Sequence, residues 1–388
     1  MHKIDKGFAA EVIGTNARAP LVTIVIANHN YGEFIEQCIR SVDAQDYPHI
    51  QCVVVDCAST DNSVSVIDAT LSRTRNSFFR LLQRQANHGQ VINCLSVLDE
   101  VNGVFVTYLD SDDFLFPEFV STHVKAHLND VSAAALSVTD QIQVDAEGQT
   151  LAGTCHWHQK WRAFEQGTAW ADLTHARSWS ANSPHRLERT ELSRLYCIPA
   201  WWSSWVADRW IWSTTSGIMF RKSTIESLAP SMDRPLDLRN LSIDSYFGRF
   251  AHSVGGTLVV DSAQGAYRRH GNNVWSSHQV LGGQTPNGTR DQLERFHNLR
   301  RVARQVLVDK HSDFIRLLGA ELYYSIAWQL MANREFLDFV KNHKEHRSVW
   351  ERTIQIASPS PSRGPINWLQ GCLAAGRNAL RKGLGSEK

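Results

Sequence analysis

The chain has 388 residues, 43% hydrophobic and 20% charged, with 40 Lys and Arg against 39 Asp and Glu. Such a composition supports a sizeable packed core and excludes a disordered polymer, and the balanced charge leaves no basic footprint for nucleic acid. The N-terminal MHKIDKGFAAEVIGTNARAP holds no apolar core of signal-peptide length, and no stretch approaches ~18 uninterrupted apolar residues, so the expectation is a cytoplasmic chain with no membrane span.

From residue 21 the chain alternates strand and helix signals. LVTIVIA (21–27) is a short β-branched run, and EFIEQCIRSV (33–42) puts Phe34, Ile35, Cys38, Ile39 and Val42 on one helical face. IQCVVVD (50–56) predicts a second strand, and NSVSVIDATL (62–71) a helix capped by Asp61 or Asn62. FFRLLQ (78–83), GQVINCLSVLDEV (89–101) and VFVTYL (104–109) continue as strand, helix and strand. This rhythm predicts βαβ units around a parallel sheet covered on both faces. AALSVTD (134–140), TTSGIMFRKS (214–223) and GGTLVVD (255–261) read as further strands, and the pattern is helical from about 290. IASPSPSRGP (356–365) is a linker by composition. Seven cysteines are scattered with no CxxC pair, which suits reduced thiols.

The fourth strand ends in Asp110, Ser111, Asp112 and Asp113. Two such charges about 5 Å apart, at an effective dielectric of about 20, repel by roughly 3 kcal/mol. In open α/β sheets ligands sit beyond the carboxyl ends of the strands. There Asp56 ends strand two, and Asn28, His29 and Asn30 end strand one. Carboxylates at one sheet edge are tolerated when a hard divalent cation, Mg²⁺ or Mn²⁺, neutralises them and shares substrate phosphates. Asp113 has a blander reading as a cap for the helix begun by Pro117 and Glu118.

The ordered set PLVTIVIANHNYGEFIEQCIRSVDAQDYPHIQCVVVDCASTDNSVSVI, NHGQVINCL (87–95) and GVFVTYLDSDDFLFPEFV resembles family 2 inverting glycosyltransferases of the GT-A fold, closely over 20 to about 130 and loosely to about 275. The resemblance implies a mixed sheet flanked by helices, a nucleotide-sugar donor and a D-x-D metal site. It implies that Ala27 and Asn28 line the base pocket, that Asp56 contacts base or ribose, and that Asp110 binds ribose. Asp112 would hold the metal, with Asn30, Asn87, Asn93 and Ser111 in the donor-binding segments. Cys57 departs from the family, whose turn often carries a second acid there, so the nucleotide is left open.

Transfer needs a base near the acceptor hydroxyl. Asp244 opens an amphipathic helix bearing Tyr246, Phe247 and Phe250, and resembles the family's base, with Asp233 and Asp237 as rivals. In GAYRRHGNNVWSSH, Arg268 or Arg269 could pair with the diphosphate, and His270 could complete the metal shell. Nine of the 13 tryptophans lie between 157 and 212, and Trp201, Trp202 and Trp205 are the expected acceptor-stacking surface. His156 and His158 have no evident third ligand. The basic, apolar tail (366–388) reads either as a solvated helix or as a contact with an anionic inner membrane face, where a lipid-linked acceptor would lie.

The expected organisation is an arm over 1–19, a GT-A domain over 20–275 (donor half 20–140, acceptor half 141–275), a helical extension over 276–355 and a tail over 356–388. The expected activity is inverting, metal-dependent hexosyl transfer to a glycan or lipid-linked hydroxyl in cell-surface polysaccharide synthesis. The alternatives are a phosphotransferase of the haloacid dehalogenase kind, with Asp110 as nucleophile, or a sugar-binding protein without catalysis.

Overall fold

The computed structural model describes residues 19–76, 78–130, 133–154, 179–180, 183–187, 195–198, 212–231, 237–271, 273, 290–331 and 333–357. The first strands and helices follow the apolar periodicity: β1 (Val22–Asn28), α1 (Ile35–Asp43), β2 (Ile50–Cys57), α2 (Ser63–Leu71) and β3 (Phe79–Arg84). The third helix is shorter than its pattern predicts. α3 (Gln90–Leu95) ends where Ser96 Oγ turns back to Asn93 O at 2.8 Å, and Val97 and Val101 then drop into the core. β4 (Phe105–Asp110), β5 (Phe114–Leu115), α4 (Phe119–Leu128), β6 (Leu136–Val144) and β7 (Thr150–Thr154) follow, then the short strands β8 (Trp179–Ser180), β9 (Ser183–Leu187) and β10 (Leu195–Ile198).

β11 (Ile218–Arg221) is only the centre of the run expected over 214–223, because residues 215–217 form a 3₁₀ turn and α5 (Lys222–Leu228) begins at once. A π-helical turn (Asp244–Gly248) leads into α6 (Arg249–Gly255). β12 (Thr257–Arg268) runs seven residues beyond the predicted strand, with register shifts beside β6 between Val260 and Gly265. The helical region is α7 (Arg290–Asp309), α8 (His311–Leu330), α9 (Asn333–Val340) and α10 (Arg347–Ala357). α8 is broken at Gly319, whose φ of 75° is left-handed.

The main sheet runs β10-β12-β6-β11-β4-β1-β2-β3, with β5 beside β12 and β7 beside β6. β3, β2, β1 and β4 are parallel, and β11 enters antiparallel between β4 and β6. The strands are apolar on both faces because helices cover both. Val53, Val55 and Cys57 face one core, while Ile50, Cys52 and Val54 face the other with Ile24, Ile26 and Ile39. Leu299, Val302, Val306, Phe314 and Tyr323 of the helical extension belong to the first of these cores, together with Val53, Val106 and Phe250. The described residues of the extension therefore share the sheet's core. Among the described residues, no helix is long and apolar enough to cross a membrane.

At the foot of the sheet Gly103 lets β4 start against β1. A Cβ there would lie 2.5 Å from Thr23 N and 2.6 Å from Phe105 O, both backbone atoms. Gly103→Ala is expected to cost about 1–3 kcal/mol. It would be seen as a lower urea midpoint with an unchanged slope.

Candidate active site at the carboxyl edge of the sheet

The chain leaves β4 in a tight turn closed by Asp113 N donating to Asp110 O at 3.0 Å. The three acids in this turn have different tasks. Asp113 is 1% exposed; its Oδ2 accepts Ser216 Oγ at 2.6 Å and its Oδ1 accepts the Arg268 N–H at 2.9 Å. Ser216 Oγ also accepts the Asp110 N–H at 3.1 Å. Asp113 thus ties the turn to β12 and to the 3₁₀ turn before β11, and does not cap α4, which has no side-chain cap. Burial, then the charges of Asp112 and Asp110, push its carboxyl well above the ordinary range, against the two donors.

Asp110 lies on the face of the first core and accepts a short hydrogen bond from Gln90 Nε2. Burial, then Asp112 and Asp244, raise its carboxyl well above the usual value. Asp112 Oδ2 meets His270 Nε2 at 2.9 Å and Asn273 Nδ2 at 3.4 Å, with only 13% and 7% of the Asp112 and His270 side chains exposed. The His270 ring packs on Phe34 (centroids 5.0 Å) and edge-on to Tyr31 (5.6 Å). Burial, then Asp112, Asp110 and Asp113, push the Tyr31 phenol upward, so it stays a neutral donor beside the acids. Asp244 is partly buried at the head of the π-turn, with Ser245 N donating to its Oδ1 at 2.7 Å. Burial raises its carboxyl, against the bond from Ser242. Asp110, Asp112, His270 and Asp244 thus lie close together at this edge of the sheet.

Other expected donor contacts are corrected by the geometry. β1 and β2 pair in parallel with Asn28 opposite Asp56, while Ala27 is opposite Asp110 on β4. Paired residues share a face, and successive residues alternate. Ala27 is therefore on Asp110's side, against the first core, whereas Asn28 and Asp56 point to the other side. Asp56 is 2% exposed with both oxygens taken: Oδ1 by Ser59 N at 3.1 Å, and Oδ2 by Asn28 Nδ2 at 2.8 Å and Ser59 Oγ at 2.6 Å. Buried and bonded in this way, it is the knot of the β2 turn. Cys57 follows on Asp110's side, buried, its thiol pushed up to about 11 by burial and by Asp56.

Asn30, at φ 60°, spends its side-chain oxygen on Thr60 N at 2.7 Å, which joins the first two turns. Asn87 Oδ1 accepts from Gly89 N at 3.0 Å and Asn93 Nδ2 at 2.8 Å, and Asn93 Oδ1 accepts from His88 N at 3.1 Å. The pair shapes the 87–89 loop, and Asn93, 6% exposed, has no open face toward a ligand. Ser111, 3% exposed, likewise offers no open hydroxyl.

Arg268 is also a correction. Its guanidinium bonds Asp112 O at 2.7 Å and Asp145 O at 3.3 Å, with further contacts to Ala146 O at 2.5 Å and Gln37 Oε1 at 2.5 Å. It lies over the Phe34 and Phe114 rings at 4.8 and 5.5 Å. Buried and fully engaged, it is a strut beneath the acidic turn and not a clamp for diphosphate. Trp201, Trp202, Trp205, His156 and His158 lie outside the described residues, as does the tail. Trp212 is described and is core, with Nε1 donating to Thr257 Oγ1 at 3.1 Å.

Among the described residues no three His, Cys, Asp or Glu side chains form a ready metal cage. Two do fit a shared ion. Adjacent ligands of an octahedral cation with bonds of about 2.1 Å stand about 3 Å apart, close to the 2.9 Å between Asp112 Oδ2 and His270 Nε2. The chemistry suits Mn²⁺ or Mg²⁺, with the remaining positions left for phosphate and water. Gln90, Ser216, Ser59, Tyr31 and Asn273 were not assigned roles from sequence. Gln90 sits in a segment already singled out, but its partners lie far along the chain.

Parallel strands ordered 3-2-1-4, an antiparallel strand beside them and a D-x-D turn at their carboxyl edge make this a GT-A fold. Residues 23–179 match the family described as glycosyl transferase family 2. The hyaluronan synthase of Pasteurella multocida is 28% identical over 140 residues, 36% of this chain and 14% of that protein. The chondroitin synthase of Escherichia coli is 27% identical over 143 residues, 37% of this chain and 20% of that protein. The matches thus span a fifth or less of these relatives' length. Among solved structures, S. aureus TarS 1–349 in complex with UDP-GlcNAc superposes with a TM-score of 0.46 at 13% identity, covering 86% of this chain and 79% of that one.

The division of labour among the acids is measurable. Asp113→Ala removes two buried hydrogen bonds and is expected to destabilise by about 2–4 kcal/mol, lowering the melting point by several degrees. Asp112→Ala, which relieves like-charge crowding, is expected not to lower it. Differential scanning calorimetry of the metal-free proteins compares the two.

Proposed function

We propose that the chain transfers a sugar from a nucleoside-diphosphate donor to a hydroxyl of a glycan or lipid-linked acceptor, in one inverting displacement. The observation that carries this reading is the convergence of Asp110, Asp112, His270 and Asp244 at one sheet edge, the first two within the residues that match family 2. Asp112 and His270 hold a divalent cation, Mg²⁺ or Mn²⁺, and Asp110 orients the donor ribose. When bound, the ion supplies positive charge to the diphosphate oxygens. Asp244 accepts the acceptor proton as that oxygen bonds the anomeric carbon. The bond from this carbon to the diphosphate oxygen breaks, and its electron pair leaves with the nucleoside diphosphate. One displacement inverts the anomeric centre, and no second carboxylate is needed as nucleophile.

Relatives named as hyaluronan and chondroitin synthases support polysaccharide synthesis as the setting. A cytoplasmic location with the acceptor at the membrane face, and an acceptor platform of Trp201, Trp202 and Trp205, belong to the same reading.

Mn²⁺ with UDP or GDP is expected to raise the wild-type melting point, because a ligand that binds only the native state stabilises it. Asp112→Ala and His270→Ala are expected to lose that shift. A shift that survives in both variants sinks the metal assignment, and phosphate covalently attached to Asp110 would point to a phosphotransferase instead.

Asp244→Asn is expected to keep the shift while lowering kcat by about 10²–10⁴. A base must be ionised, and burial raises the Asp244 carboxyl. Activity should therefore fall as pH drops through a value above the ordinary carboxylate range, and hold above it. A kcat–pH profile of the wild type checks this, and a limb at the ordinary carboxylate value would count against Asp244.

A further inference from the structure

We propose that Gln90 is a positioning residue that fixes the distance between the donor-binding acids and the base. The inference rests on the reading of Asp244 as that base. Gln90 opens α3 and its side-chain amide reaches two ways. Nε2 donates to Asp110 Oδ1, and Oε1 accepts the Ile243 N–H at 2.9 Å across 153 residues of sequence. Ile243 is fully buried and immediately precedes Asp244. One planar group thus joins the carboxylate at the end of β4 to the first peptide of the base helix.

The orientation of the amide is forced. An amide has a donor end and an acceptor end. Flipping it would set its oxygen against a carboxylate and its NH₂ against an N–H. A glutamate could keep the Ile243 bond, but it would add a further negative charge where Asp110, Asp112 and Asp244 already interact. Glutamine supplies the same reach without charge.

The anchor of this bridge is rigid. Gly89 has φ 90°, and a Cβ on it would lie 2.5 Å from Arg239 O, so the loop before α3 presses on the segment leading to Ile243. Asn87 and Asn93 lock that loop from the other side. Leu238 and Leu241 hold the partner segment in the core. Gln90 is therefore a spacer between two fixed walls. Displacing a reacting group by about 1 Å can cost 10²-fold in rate, which is the scale on which such a spacer acts.

The test is a cycle of variants in the full chain: Gln90→Met, Asp244→Asn and the double variant, with Gln90→Ala as a second choice should the first fold poorly. Each is assayed with Mn²⁺ and the nucleotide sugar that the wild type turns over. Binding of the matching nucleoside diphosphate with Mn²⁺ is measured by calorimetry. Gln90→Met is expected to lower kcat about 10–100-fold. It should change the nucleotide Kd less than about threefold. In the Asp244→Asn background it should cost less than a further twofold or so, because a residue that acts through the base has nothing left to position. An unchanged kcat overturns the inference. So do losses that multiply in the double variant, which would place Gln90 on the donor side alone. Wild-type turnover with multiplying losses defeats only the role of Gln90. A wild type that turns over no nucleotide sugar defeats the functional reading and this inference with it.

Discussion

Negative charge packed at the carboxyl edge of the sheet is the constraint around which this molecule is arranged. Asp110, Asp112 and Asp113 leave one strand within four residues, and Asp244, at the head of the π-helical turn, is brought against Asp110. Their mutual repulsion is offset by directed hydrogen-bond donors. Ser216 and the Arg268 N–H serve Asp113, Gln90 serves Asp110, and His270 and Asn273 serve Asp112. Charge-assisted bonds of this kind are stronger than neutral ones, and here they fix the orientations of the carboxylates. The Arg268 guanidinium beneath them bonds backbone carbonyls, including that of Asp112, and so braces the turn without occupying its open side.

The pleat of the sheet sorts the remaining polar groups. Because Ala27 pairs with Asp110 and Asn28 with Asp56, one residue's difference in register separates the face of Asp110 from a buried knot. On the Asp110 side stand small or apolar groups, Ala27 and Cys57, packed against the first core. On the other, Asn28, Asp56 and Ser59 saturate one another and fix the turn after β2. Conserving polar character at a strand end is therefore not the same as placing it in a site.

The alternating elements over residues 21–109 were legible because apolar periodicity and strand length are local properties, and so was the D-x-D turn. The resemblance of ordered motifs also singled out Asp110, Asp112, His270 and Asp244, which the fold brings close together. The fate of Asp56 was not, since it depends on inter-strand register, which the sequence does not print. Arg268 escaped because β12 runs on past Asp261 and carries the side chain under the acidic turn. Gln90 escaped because one of its two partners is a backbone N–H 153 residues away. The end of α3 was misjudged because Ser96 bonds back to Asn93, a local competition that helical periodicity does not register.

The core shared by sheet and helical extension has a consequence for reading damage to this protein. The Phe314 ring of α8 stacks on Phe250 of α6 at 5.7 Å, and Phe250 belongs to the helix that continues from Asp244. A lesion in that distant aromatic pair would reach Asp244, the proposed base, through a tilt of its helix. It would register in an assay as a chemical defect, although no reacting atom had been touched.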